Sequence, residues 1–147
     1  MRANFKPLSA TNLFFVILFA WYSIIFFDVP FLTTEGQANL ISIYGLLELL
    51  LAIILVGYLL HWKYIHYSAL IILGLWGYLQ FNANWKYIFT KPSEEKMQSY
   101  YQHFENTLRI LPESNTTIIP DAYHIILGML LLINIILASG KIIKRLI

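Results

Sequence analysis

The residues of this chain that can move a proton or hold a polar ligand are few, and the clearest of them interrupts an apolar run. Glu48 stands within Leu46-Leu47-Glu48-Leu49-Leu50-Leu51. Read as a membrane helix, the segment places that carboxyl group about nine residues, or roughly 13 Å, from its outer end and so near mid-membrane. Inserting a carboxyl group there costs on the order of 2.5–3.5 kcal/mol, so the group is expected to face other helices and to find a partner or keep its proton. Gly45 and Ala52, at i−3 and i+4, leave room for a neighbouring helix, and Tyr44 on the same side can donate a hydrogen bond. Such an acid suits a proton- or cation-linked site or a polar anchor for a ligand. It equally suits a protonated staple between helices.

Gln80 and Asn84, one turn apart and in line with Gly77, lie at about the depth of Glu48, so Gln80 and Glu48 are expected partners. Amides in such positions commonly hold membrane helices together. The last apolar segment opens Asp121-Ala122-Tyr123-His124, with Asp121 suited to cap a helix and His124 to carry a proton, bind a metal or hydrogen-bond internally. Asn134 faces elsewhere and is expected to bond to another helix. Asp28, Glu35, Glu48, Gln80, Asn84, Asp121 and His124 all fall in one half of the apolar segments or at its edge. This asymmetry predicts a cavity open on that side, with Asp28, Tyr44, Glu48, Gln80, Asn84 and His124 as ligand-binding candidates. Glu48, Asp121 and His124 are the acid–base candidates.

Other chemistry finds no support in the spacing. There is no cysteine, which removes disulfides and thiolate chemistry. His61 and His66 are five residues apart, and His103 and His124 do not fall in a metal-binding motif, so no metal and no cofactor are expected. No phosphate loop or Ser-His-Asp order is present. Asn115-Thr116-Thr117 fits the glycosylation pattern, a motif common by chance. The small formal charge of +2, without a basic patch, argues against nucleic acid as a partner.

The elements that must position these residues follow from composition. Of the 147 residues, 59% are hydrophobic and 12% charged, half the share of charge that soluble proteins carry (about 25%). The runs Leu13–Phe27, Leu46–Leu60 and Ile125–Ala138 lack the alternation of a barrel and are read as helices, because unpaired backbone groups are intolerable in hydrocarbon. A span needs roughly 20 residues, which predicts four: about 9–31, 39–61, 67–89 and 121–140. The first is read as uncleaved, since Asp28-Val29-Pro30-Phe31 stands where a signal peptide would show small residues. Between the third and fourth, Met97, Tyr100, Tyr101, Phe104, Leu108 and Leu111 recur at helical spacing. They predict an amphipathic helix over 93–111 on the outer surface or capping the bundle.

Arg2, Lys6, Lys63, Lys141, Lys144 and Arg145 share one side with no acid among them, whereas the acids accompany Lys86, Lys91, Lys96 and Arg109 on the other. The positive-inside rule then puts both termini in the cytoplasm. The expected fold is thus all-α: a single-domain integral membrane four-helix bundle, multi-pass in the plasma (inner) membrane. Its first functional reading is an accessory or assembly subunit that engages membrane lipid, a partner membrane protein or a second copy through the polar cluster. The alternatives are an enzyme acting on a lipid or lipid-linked substrate at the outer leaflet, and an oligomeric proton- or ion-linked carrier centred on Glu48.

Overall fold

The computed structural model describes residues 8–27, 29–33 and 38–147. Arg2, Lys6, Asp28 and Glu35 lie outside the described residues. Within them the chain is helical, with no strand.

The first helix, α1 (Ala10–Ser23), starts where the Ser9 hydroxyl accepts the Asn12 amide, and passes into a 3₁₀ turn at Ile24–Phe26. The expected run to residue 31 is too long. The Ser23 hydroxyl bonds back to the Phe19 carbonyl at 2.8 Å, the last turn tightens, and Phe27 is extended three residues before Pro30. Helix α2 (Ile43–Leu59) starts later than residue 39, because Asn39 and Ser42 fold into a turn: Asn39 Oδ1 accepts the Ile41 amide and Ser42 caps the helix. It ends at His61, which takes the left-handed conformation with φ 55°.

Helix α3 (Ile65–Gln80) runs through a π-helical stretch, Phe81–Trp85, into the short α4 (Lys86–Phe89). Helical backbone therefore continues from 65 to 89. The outer amphipathic element is shorter than expected: α5 (Glu94–His103) is capped by Ser93 and stops eight residues before Leu111. Its end has a local cause. The side chains of Thr107 and Arg109 both reach back to the Phe104 carbonyl, and an Asn-Thr pair favours that turn over another helical one. Helix α6 (Ala122–Leu146), 25 residues long, runs past the expected stop at Gly140 through Lys141, Lys144 and Arg145.

Among the described residues, α6 is by length and composition the one helix long and apolar enough to cross a membrane by itself, while α1 with its 3₁₀ turn and α2 are apolar but shorter. The long helices close a ring. α6 packs on α1 and α3, and α2 packs on both of these. Neighbours run antiparallel: Tyr123 meets Tyr22 while Asn134 meets Phe14, and Phe15 lies on Tyr58 while Ser23 reaches Glu48. Phe15, Leu18, Leu51, Leu73 and Leu127 fill the centre, yet Ile17, Leu49, Ile53, Leu75, Leu132 and Ile136 point outward and are exposed. The bundle is apolar on both its inner and its outer face.

The packing of the π-helical stretch on α6 depends on Gly128, where a Cβ would sit 2.5 Å from the Trp85 indole. A bulky ring against backbone leaves no room for a methyl group. Gly128→Ala is expected to cost about 1–3 kcal/mol by overpacking, read from unfolding in detergent micelles. Pairing it with Trp85→Leu should recover most of that loss.

Candidate functional site

Near the N-terminal end of α6 the four long helices part enough to leave a cavity of about 350 Å³. Its polar lining is Tyr44 from the start of α2, Gln80 and Asn84 from the third helical run, and His103 and His124 from α5 and α6. Tyr22, Trp76, Phe104 and Tyr123 supply aromatic walls. Four of the six ligand-binding candidates, Tyr44, Gln80, Asn84 and His124, thus face one hollow. Asp28 lies outside the described residues.

Glu48 is placed elsewhere. It faces α1, its Oε1 lies 2.6 Å from the Ser23 hydroxyl, and it borders a separate groove with Gly45, Leu49 and Ala52. The expected Glu48–Gln80 pairing is therefore not formed. Register explains the difference: Gln80 turns to Asn84 on its own helix, accepting from Nδ2 at 2.8 Å. Gly45 likewise accommodates no helix, since a Cβ there would run into the Leu40 carbonyl of the preceding turn. The Ser23 hydroxyl also contacts the Phe19 carbonyl, but it carries a single proton. Both contacts are hydrogen bonds at once only when the carboxyl group brings a second proton, the arrangement of an interhelical staple.

Asn84 lies within the π-helical stretch. A π turn holds one residue more than an α turn, so the face presented by the helix shifts across it. Asn84 is buried beside Gln80, whereas Asn82 is turned back to the Tyr78 carbonyl at 2.9 Å. Two asparagines in an otherwise apolar helix were the available signal, and they do not by themselves specify a π turn.

Asp121 and His124 form the best-organised pair of the site. Asp121 is almost wholly buried, caps α6 by accepting the His124 amide at 3.2 Å, and contacts His124 Nδ1 at 2.5 Å. With Nδ1 held, Nε2 is the ring atom left for a ligand. Above the pair, Phe104 meets the His124 ring edge to face at 5.4 Å. Tyr100, from α5, is half-buried next to them with its hydroxyl enclosed; desolvation drives its phenol well above the usual range, and the Asp121 carboxylate adds to the effect. The outer segment is tied down from both sides, the Leu108 amide donating to the Phe31 carbonyl and the Ala122 amide to the Leu108 carbonyl. It thereby roofs the cavity.

Chemically, the hollow offers amide, imidazole and phenol groups on aromatic walls, and among the described residues no lysine, arginine or carboxylate lines it. It suits recognition of a polar group without strong net charge. Among the described residues, no three of His, Asp and Glu converge as metal ligands. From sequence, His103 enters only as a possible metal ligand and Phe104 only in the amphipathic stripe, while Tyr22 carries no local signal. Asn134 does bond across helices, its Nδ2 donating to the Phe14 carbonyl at 3.1 Å. Set against protein-family models, curated proteins and solved structures, the chain matches none.

Because Asp121 both caps α6 and holds His124, its replacements separate the two roles. Asp121→Ala is expected to cost about 1–2 kcal/mol, while Asp121→Asn, which keeps a capping oxygen, should cost well under half of that. Unfolding of both variants in detergent checks the difference.

Proposed function

We propose that this chain is a four-span membrane protein with both termini in the cytoplasm, acting as an accessory or assembly subunit. In this reading its outer cavity receives a polar group from a lipid or a partner membrane protein. The observation that carries it is the cavity itself: a neutral, amide- and imidazole-lined hollow of about 350 Å³ under an aromatic roof. A binding role needs donors, acceptors and shape, which are present.

Three features support the membrane part. The outward faces of α1, α2, α3 and α6 carry Ile17, Leu49, Ile53, Leu75, Leu132 and Ile136, which water would penalise and lipid would not. The helical backbone from 65 to 89 and the 25 residues of α6 reach the length of a span. Basic residues mark one end, where Arg145 bonds to the Lys63 carbonyl at 2.7 Å, and acids gather at the other. Helices α1 and α2 are shorter, and their flanking turns would sit in the interfacial layer.

A second reading, an enzyme acting on a lipid-linked substrate at the outer leaflet, is favoured by one observation only. The Asp121–His124 pair has the geometry of an oriented general base. Glu48, its third candidate, borders another groove, which weakens that reading and equally the carrier reading centred on it.

The absence of cysteine makes topology directly testable. Single substitutions Ser93→Cys and Ser114→Cys should react with a membrane-impermeant maleimide on intact cells, and Lys63→Cys and Lys144→Cys only after permeabilisation. Equal labelling at all four positions would defeat the four-span reading. For the cavity, native mass spectrometry of protein released from mild detergent should find a retained small molecule or partner. The double variant Gln80→Leu/Asn84→Leu should lose at least tenfold of its occupancy, whereas unchanged occupancy would rule the cavity out as the site.

A further inference from the structure

The opposite end of the bundle is built on different chemistry. Where α1 and α3 begin and α6 ends lies a second hollow of about 390 Å³, with Lys141, Lys144 and Arg145 on one side and His61 and His66 on another. No carboxylate lines it, and the sequence has no Asp or Glu between residues 49 and 93 or after residue 121. The negative end of the α6 dipole offsets part of this charge. The fold then adds to it, because the N-terminal ends of α1, at Ser9 and Asn12, and of α3, at Ile65 and His66, open on the same space. Ser9 caps α1, whereas α3 has no side-chain cap. Three cations and two positive helix ends converge, and among the described residues no Asp or Glu lines the space to answer them.

His66 points to the same conclusion independently. It is nine-tenths buried, its ring lines the hollow, and its Nδ1 has no hydrogen-bond partner. An imidazole with an unpartnered ring nitrogen, lining a cationic hollow, is a group that an acceptor-rich anion can satisfy.

We propose that this hollow binds the phosphate group of an anionic membrane lipid. A phosphate brings several acceptor oxygens and a formal charge, and so can engage Lys141, Lys144, Arg145 and His66 together. The lipid as its source rests on the four-span reading: Trp62 and Leu60, exposed beside the hollow, stand where the cytoplasmic headgroup layer would lie. The anion site itself does not depend on that reading.

The test uses the full chain in neutral detergent micelles doped with phosphatidylglycerol, with phosphatidylcholine, or with inorganic phosphate in the buffer. Phosphatidylglycerol should raise the midpoint of thermal unfolding by about 5 °C. Phosphatidylcholine and inorganic phosphate should leave it nearly unchanged. The variant Lys141→Gln/Lys144→Gln/Arg145→Gln should lose the shift, and Lys86→Gln/Lys91→Gln/Lys96→Gln, with the same charge change at the other end, should keep it. In case the triple variant fails to fold, Lys144→Gln, at an exposed position, should weaken phosphatidylglycerol binding about fivefold by titration. No shift in the wild type, an equal shift with phosphatidylcholine, or undiminished binding by the basic-end variants would overturn the site. A matching shift with inorganic phosphate would overturn the lipid as its source. Since all of this is read in micelles, it stands or falls separately from the cysteine topology.

Discussion

The architecture depends on the buried stripe of α6. Ala122, Tyr123, Leu127, Leu130, Leu131, Asn134, Ala138 and Ile142 fall three or four residues apart, with adjacent pairs at 122/123 and 130/131, and are covered by α1 on one side and α3 on the other. Neither α1 nor α3 has such an extended partner elsewhere. The stripe therefore sets where both helices lie, and α2 fills the remaining side by packing on each of them. Two contacts adjust this packing. Gly128 lets the Trp85 ring reach the α6 backbone, and Asn134 reaches the α1 backbone at Phe14.

That same stripe separates the polar groups into two populations. At the N-terminal end of α6, the Asp121 cap orders His124, and the roof formed by α5 and the segment after it leaves a neutral hollow lined by amides, imidazoles and aromatic rings. At its C-terminal end the helix emerges as Lys141, Lys144 and Arg145, beside the starts of α1 and α3, and the hollow there is cationic. Between the ends the interior is apolar apart from short bridges such as Ser23–Glu48 and Asn134–Phe14. The two ends thus differ in the polar groups they present, and an apolar middle lies between them.

Much of this was legible in the sequence, for local reasons. Apolar runs far longer than a soluble chain needs made the helices readable, and Ser93 and Asp121 announced their helix starts as capping residues do. The ends were harder. Ser23, Asn39 and Thr107 each use a side chain to satisfy a nearby backbone group, so helices stop or start several residues from where hydropathy alone would put them. The polar cluster was visible as a set of residue types, but its membership was not. Glu48 and Gln80 share a depth, yet depth says nothing of azimuth, and they face different spaces.

What the residues determined by themselves was the all-helical class, the segregation of charge to the two ends, and the stock of groups at each. All of these follow from the period and hydropathy of contiguous stretches. Only the tertiary structure decided which groups meet. The packing turns Glu48 to Ser23 of α1 and not to Gln80, and the antiparallel ring brings the cations of α6 to the starts of α1 and α3. Such meetings depend on helix rotation and register, set by side chains far apart in the chain packing at near-crystalline density, and no local pattern encodes them.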